Sequence, residues 1–140
     1  MAIKEIVKDI DVLQTKSAKA DIKSSETSKV IDDLIDTANE YKDKCVGLSA
    51  IQIGVPLRVC VVFNGNEFIP FVNPVITKSF GDKYEAEEGC MSLDGVRKVT
   101  RYDRIEVMRQ TKSGFVKEKF RGFIAEILQH EIDHFNGKLI

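Results

Sequence analysis

Two histidines near the end of the chain are spaced so that both can bind one metal ion. His130 and His134 are the only histidines in the sequence. In a helix, residues four apart lie on one face, about one turn from each other. Glu131 follows the first histidine, so this H-E-x-x-H pattern supplies two ligands and a carboxylate that can transfer a proton. The alternative is a pair of buried histidines that are hydrogen-bonded to their neighbours, but the complete pattern favours a metal site.

A metal site of this kind needs a third protein ligand, for which Cys90 is the first candidate. One cysteine and two histidines, with the fourth position left to water, are typical of a catalytic site. Cys45 and Cys60 are competing ligands, although Cys60 is expected to pack inside a strand. Cys45 begins a run of small, uncharged residues, which indicates either close approach of the backbone to a ligand or a tight buried turn. Within that run, Gln52 needs a hydrogen-bond partner if it is buried.

The segments around these residues predict an α+β fold. Ser24 and its neighbours can cap an N-terminal amphipathic helix whose apolar stripe runs from Val30 to Tyr41. The C-terminal helix carries the histidines and is expected to stop at Asn136-Gly137. Alternating β-branched segments predict antiparallel strands at 57–63, 68–72, 75–77, 104–109 and 115–120. Because the strands come in blocks, we expect antiparallel β-sheets packed around the C-terminal metal-binding helix.

Two short motifs predict where the chain turns between strands. Asn64-Gly65 is typical of a two-residue hairpin. Asn73-Pro74 is expected to break the strand that precedes it. Residues 1–24, which open with the apolar-alternating piece Ile3–Ile10, are expected to form an arm that lies across the domain.

The histidine helix is expected to be surrounded by the domain, because apolar residues occupy more than one of its faces. The histidines continue the line of Phe123 and Ile127, which predicts that this line points inward. Asp133 is expected to point away from the histidines. There it can fix the helix by pairing with Arg97, Arg101 or Arg104.

The composition limits the class of protein. A chain of 140 residues with 43% hydrophobic residues suits a single domain over 1–140. The formal net charge of −1 gives no electrostatic case for nucleic acid or for an anionic membrane. The sequence lacks an apolar run that could span a bilayer or serve as a signal peptide. Three cysteines, an odd number, fit a reducing cytoplasm.

Three segments resemble the motifs of peptide deformylases, in the same order and spacing: Cys45–Gln52, Glu88–Ser92 and Gln129–His134. Residues 1–10 and 54–58 are also similar to that family, so the resemblance covers nearly the whole chain. It implies a cytoplasmic hydrolase that removes the N-formyl group from formyl-methionine at the start of nascent polypeptides, at the ribosome, and releases formate. It also implies a divalent metal ion, Fe²⁺ in the cell, with Zn²⁺, Ni²⁺ or Co²⁺ as substitutes.

The resemblance also implies roles for particular residues. Cys90, His130 and His134 are the implied metal ligands, and Glu131 is the implied general acid and base. Gln52 and the backbone N–H of Met91 are the implied hydrogen-bond donors to the oxyanion. The substrate backbone and its methionine side chain are expected at Val46, Gly47, Glu88 and Gly89.

The sequence departs from the family pattern at several positions. Cys45 stands where the family has glycine, and it would be strained if the backbone needs a positive φ there. Ser49 replaces an alanine, which is a small change. Glu126 replaces an arginine or an apolar residue, and we expect it to alter substrate preference. Cys45, Asp94 and Glu126 leave one alternative open, a metal-dependent amidase acting on another small N-acyl group. A second alternative, a non-catalytic metal-binding relative, would require Glu131 or Gln52 to be displaced, and the sequence gives no sign of that.

Overall fold

The computed structural model describes residues 2–140. Met1 lies outside the described part, although the predicted domain and the similar segment 1–10 both begin with it. The helices are α1 (Ile10–Leu13), α2 (Ser25–Glu40) and α3 (Phe123–Phe135), and a 3₁₀ turn covers Ala50–Ile53. The strands are β1 (Gly47–Ser49), β2 (Val59–Phe63), β3 (Phe68–Gly89), β4 (Val96–Thr111) and β5 (Gly114–Arg121). Within residues 2–140, no helix is long and apolar enough to cross a membrane. The predicted α+β class is confirmed.

The strands form one antiparallel sheet in the order β1-β2-β3-β4-β5. The segments predicted as strands at 75–77 and 104–109 are parts of the much longer β3 and β4, which pair along most of their length. The hairpin formed by β3 and β4 ends in the loop that contains Cys90. The sheet therefore carries the cysteine to the place where α3 meets it.

The hairpin between β2 and β3 has a longer loop than predicted. Phe63 pairs with Phe68, so the loop runs from Asn64 to Glu67 and a two-residue turn is wrong. The Asn64 side chain explains the difference, because its Oδ1 accepts hydrogen bonds from the backbone N–H of Asn66 and of Glu67, both at 2.9 Å. This asparagine folds the loop around itself.

The predicted break at Asn73-Pro74 is also wrong, because β3 continues through it. The register shifts between Val72 and Val75, and Asn73 takes a left-handed φ of 50°. Its side chain accepts from Ala20 N at 2.9 Å and donates to Ala20 O at 2.8 Å. A proline without an N–H is tolerated at such an irregularity, so the strand bends and does not end.

The N-terminal segment and α2 cover one side of the sheet. Ser24 Oγ caps α2 by accepting from Glu26 N at 3.1 Å, as the sequence predicts. The arm is held by hydrogen bonds from two of its backbone N–H groups: Ala2 N donates to the side-chain Oδ1 of Asp33 (2.9 Å), and Val7 N donates to the backbone O of Gln52 (2.8 Å). The short helix α1 within this segment was not predicted.

Strand β2 lies between two hydrophobic cores. Val59 and Val61 pack in the core that contains α2, whereas Cys60 and Val62 pack in the core that contains α3. From α3, this second core buries Ala125, Ile127, Leu128 and Phe135. Phe123 does not follow the inward line predicted for it and is 62% exposed. It is the first residue of α3 and lies at the edge of a cavity.

Candidate metal centre

A cavity of about 1270 Å³ opens beside α3. Its walls come from the arm, the start of β1, the end of β3 with the following loop, and the first turns of α3. His130 and Glu131 line it together with Cys90 and Gln52. These four residues, which the sequence singles out for chemistry, therefore share one cavity, and His134 lies next to it with its Nε2 3.1 Å from that of His130.

Cys90, His130 and His134 are close enough to bind one ion, since their ligand atoms all lie within 4.8 Å of one another. The two histidine Nε2 atoms are 3.1 Å apart, and Cys90 Sγ lies 3.6 Å from His134 Nε2. Tetrahedral coordination with bonds of about 2.05 Å to nitrogen and 2.3 Å to sulfur separates two nitrogens by about 3.3 Å and nitrogen from sulfur by about 3.5 Å. The donor set fits a divalent metal ion.

The ring of His130 is oriented by a carboxylate behind it. His130 Nδ1 lies 2.7 Å from Glu88 Oε1. When Nδ1–H donates to Glu88, the lone pair of Nε2 is left free, and it faces His134. The carboxylate of Glu88 is 6% exposed and is bound by other side chains, but Glu88 also lines the cavity, so its implied contact with substrate stays a prediction.

Arg101 supplies the charge that balances Glu88. Its guanidinium donates to both Glu88 oxygens, at 2.6 and 2.9 Å, and to Asp133 Oδ2 at 2.6 Å. Burial disfavours the charged form of Glu88, but the bonds from Arg101 and His130 outweigh it and hold the pKa of Glu88 at about 2. Of the three arginines predicted as partners of Asp133, the structure selects Arg101.

Burial and neighbouring charges also act on the histidines. Burial alone would lower the pKa of His130, but hydrogen bonds with Cys90 and Glu88 raise it to about 10. Burial and the neighbouring His130 lower the pKa of His134 to about 3. A metal ion must therefore displace a proton from this pair, because histidine binds metals in its neutral form.

Gln52 is held in one orientation by its neighbours, as its burial requires. Its Oε1 accepts from Ser49 N at 2.9 Å. Its Nε2 donates to Ser92 Oγ at 3.2 Å and to Cys90 Sγ at 3.4 Å. The amide N–H groups of Gln52 are thus directed at the cysteine ligand and at Ser92.

Glu131 is buried and lies against β1. The Ser49 hydroxyl is 2.8 Å from Glu131 Oε1 and 2.9 Å from its backbone O, so it can donate to either. Burial raises the pKa of Glu131 above its usual value, against the opposing effects of His130 and Ser49. A Cβ at Gly47 would lie 2.8 Å from Glu131 Oε2 and 2.7 Å from Ile127 Cγ2. Gly47 is therefore required for the close approach of β1 to this carboxylate.

The other two cysteines, Cys45 and Cys60, are buried and do not belong to the ligand cluster. Cys60 is fully buried in β2, as predicted, and burial raises its pKa well above the usual value. Cys45 donates its thiol hydrogen to Gly47 O at 3.3 Å, and burial raises the pKa of Cys45 to about 12. Among residues 2–140, Asn73 is the one non-glycine residue with positive φ, so Cys45 is not strained.

The remaining predicted residues line the mouth of the cavity. Val46 is 39% exposed there, and Gly89 and Met91 form part of the opposite wall. Glu126, one helical turn before His130, also lines the cavity and accepts a hydrogen bond from Tyr84 Oη at 2.9 Å. Its effect on substrate preference stays a prediction.

Sequence reasoning missed the supporting residues Ser49 and Ser92. Ser49 was expected to be a small change from alanine, yet it contacts both Glu131 and Gln52. The signal was available: a hydroxyl in a buried, uncharged run needs a partner, by the argument applied to Gln52. Tyr84 carried no comparable signal, because its partner Glu126 depends on how β3 packs against α3.

Comparison with known proteins gives a consistent result. The family model described as polypeptide deformylase matches residues 3–140. A peptide deformylase from Clostridium beijerinckii is 49% identical over 140 residues and covers 99% of both chains. The crystal structure of peptide deformylase from Thermotoga maritima superposes with a TM-score of 0.90 at 32% identity, covering 99% of this chain and 95% of that one. A Met-Ala-Ser-bound peptide deformylase from Acinetobacter baumannii has a TM-score of 0.89 at 28% identity, with 99% and 97% covered.

Proposed function

The chain belongs to the polypeptide deformylase family and is a metal-dependent hydrolase that removes the N-formyl group from nascent polypeptides, and from this premise we propose the roles of its residues. Cys90, His130 and His134 hold the ion. Glu131 transfers protons, and Gln52 with the N–H of Met91 binds the formyl oxygen. The observation that carries the proposal is the convergence of the three ligand atoms within 4.8 Å beside a buried glutamate.

The resident ion in the cell is Fe²⁺ in this proposal, with Zn²⁺, Ni²⁺ and Co²⁺ as substitutes. One thiolate and two imidazoles accept all four ions, so the donor set supports a divalent metal and the family resemblance supports iron. When bound, the ion supplies a Lewis acid that lets water act as a nucleophile near neutral pH. The Glu88–Arg101 pair orients His130 for this purpose.

Glu131 handles the protons of the reaction. Its carboxylate takes a proton from the attacking water and returns it to the leaving nitrogen as the bond between carbon and nitrogen breaks. The electron pair of that bond stays on the nitrogen, so the products are formate and a free amine. The raised pKa of Glu131 suits a group that must both accept and release a proton.

Gln52 and Met91 stabilise the charge that develops on the formyl oxygen. The Gln52 amide is fixed by Ser49 and Ser92, so its second N–H, which points at Cys90, is held in place in advance and need not reorganise during the reaction. Removing one donor of this kind typically slows the reaction about 10²-fold or more. Met91 contributes its backbone N–H, which a side-chain substitution leaves in place.

The substrate peptide lies extended between β1 and the end of β3. Strand β1 is at the edge of the sheet, and Val46, Gly47 and Gly89 place backbone groups along the cavity wall. An extended peptide can pair with such an edge, while its methionine side chain enters the cavity beside Glu88. The Met-Ala-Ser complex of the Acinetobacter relative supports a peptide ligand of this length.

The proposal extends to residues 1–140 as one catalytic domain that acts in the cytoplasm on nascent chains at the ribosome. Cytoplasmic action is supported by the substrate, because formylated chains are synthesised in the cytoplasm and the enzyme must encounter them there. Support for a single domain comes from the two cores, which share strand β2.

The test measures formate release from a formyl-Met-Ala-Ser peptide by protein loaded anaerobically with Fe²⁺, with metal content determined on the same sample. Glu131→Gln is the matched variant, because it keeps the shape and the three ligands. We expect it to retain a full metal complement and to lose turnover by about 10² to 10⁴-fold. Activity on an acetylated peptide equal to that on the formylated one would favour the amidase alternative. Full metal with no formate from the unaltered chain would favour a non-catalytic relative.

A further inference from the structure

On the outward face of β3, β4 and β5, positively charged side chains outnumber negatively charged ones. Alternate residues of a strand point to opposite faces, and Ile105 and Val107 of β4 point into the core with α3. Glu106 and its neighbours at 104 and 108 therefore point outward. We call the surface formed by these outward side chains the outer face: Val75, Lys78, Phe80, Arg104, Glu106, Met108, Lys117, Lys119 and Arg121.

The strand register arranges these residues in rows. One row is Phe80, Arg104 and Arg121, the next is Lys78, Glu106 and Lys119, and the third is Val75, Met108 and Lys117. Neighbours in a row are about 4.8 Å apart, and successive rows are about 6.8 Å apart along the strands. Five cations and a single carboxylate thus share one small surface of a chain whose net charge is −1.

Most of this charge is not neutralised within the protein. Among the described residues, no ion pair within 4 Å involves Lys78, Lys117, Lys119 or Arg121, whereas Arg104 has a long contact of 3.8 Å with Asp103. The carboxylate of Glu106 experiences the field: a hydrogen bond from Thr77 and the three nearby lysines lower its pKa. A surface with this field attracts polyanions.

We propose that the outer face binds the phosphate backbone of double-stranded or folded RNA. Cations spaced a few ångströms apart on one face of the sheet can each approach a separate phosphate, and the displaced counterions supply the affinity. Arg104 is stacked on Phe80, with its Cζ 5.2 Å from the ring centroid, which holds the planar guanidinium in place for a phosphate. RNA is favoured over an anionic membrane because the face belongs to rigid strands without tryptophan, and membrane-surface binding typically uses an insertable amphipathic helix.

The outer face and the metal centre are independent surfaces. The core side of the same strands packs against α3, so the cavity opens away from the outer face. None of the outer-face residues lines the cavity. RNA can therefore be bound while a peptide occupies the metal centre, and a failure of one proposal leaves the other unaffected.

The test measures Kd for a short mixed-sequence RNA duplex by fluorescence anisotropy at several salt concentrations. If four of the cations contact phosphates, the plot of log binding constant against log salt should have a slope of about −3.6. Lys117→Gln with Lys119→Gln should weaken binding and reduce the magnitude of that slope by about 2. Lys16→Gln with Lys23→Gln is the control, since both lysines are exposed, lie outside the outer face and change the net charge equally.

Three results would overturn the proposal. These are no RNA binding at low salt, an equal loss of slope in the control variant, and binding to phosphatidylserine vesicles but not to RNA. Formate release by both double variants should equal that of the unaltered chain. That measurement shows that the substituted protein is folded when RNA binding is lost.

Discussion

Replacing Arg101 by methionine should destabilise the protein far more than replacing an arginine with a single, more exposed partner. Arg101 and Glu88 are 5% and 6% exposed, so water cannot take the place of the lost guanidinium. Asp133 is 18% exposed and keeps a contact with Lys138, so the cost falls mainly on Glu88. Glu88 then keeps only its hydrogen bond with His130, and removing one partner of a buried ion pair typically costs about 3–5 kcal/mol.

Arg109→Met is the matched control on the same strand. Arg109 contacts one carboxylate, Glu118, with side-chain exposures of 21% and 37%. Such a pair contributes about 1 kcal/mol or less, and the position of Arg109 over the Phe71 ring adds about the same. Urea unfolding should be followed for both variants with a chelator present, so that differences in metal affinity do not change the apparent stability.

A second substitution separates charge from packing. Glu88→Gln added to Arg101→Met removes the buried charge that has lost its guanidinium partner and should recover part of the lost free energy of unfolding. Without chelator, Arg101→Met alone and Glu88→Gln alone should each bind metal about 10 to 100-fold more weakly than the unaltered chain, because the carboxylate that orients His130 is displaced or removed. The reasoning would be refuted if Arg101→Met cost no more than Arg109→Met, or if the double variant were less stable than Arg101→Met alone.

Two further predictions concern close packing and pH. Gly47→Ala should lower kcat about 10²-fold, because the added methyl group displaces Glu131; activity within twofold of the unaltered chain would contradict this. Burial would raise the pKa of Asp33, but the hydrogen bonds from Lys29 and from Ala2 N outweigh it and lower the pKa overall. The ionised Asp33 therefore stabilises the protein at neutral pH. This stabilisation is lost as the pH falls through the folded-state pKa, which lies below 3.8. Between pH 6 and pH 3 the unaltered chain should therefore lose more stability than Asp33→Asn in urea titrations, and equal losses would count against the argument.

The metal ligands could be predicted because metal chemistry restricts both residue type and spacing. His130 and His134 have the one-turn spacing of a helix, and Cys90 was the first candidate for the third ligand, with Cys45 left as a competitor that also lies outside the strands. The amide of Gln52 could be predicted as a group needing partners, because it was the one long polar side chain in an uncharged run. These inferences need no knowledge of how distant strands align.

The partners of Glu88 could not be predicted, because they depend on strand register. Glu88 pairs along the ladder with Arg97, whereas its side chain binds Arg101, and neither relation is visible before β3 and β4 are aligned. The turn at Asn64 was missed for a local reason, since its side chain replaced the expected backbone turn. The outer face was hidden for a different reason: a net charge near zero averages over surfaces of opposite sign.

The position of β2 between the two cores has a consequence for how the protein opens. Its alternate side chains belong to different cores, so neither α2 nor α3 can detach without exposing one side of the same strand. The two halves should therefore open as one cooperative unit, and the amide hydrogens of β2 should exchange with solvent only through near-global unfolding. A substitution in α2, such as Leu34→Ala, would then accelerate exchange in α3 as much as in its own helix. The rigidity of the metal centre is thus a property of the whole fold.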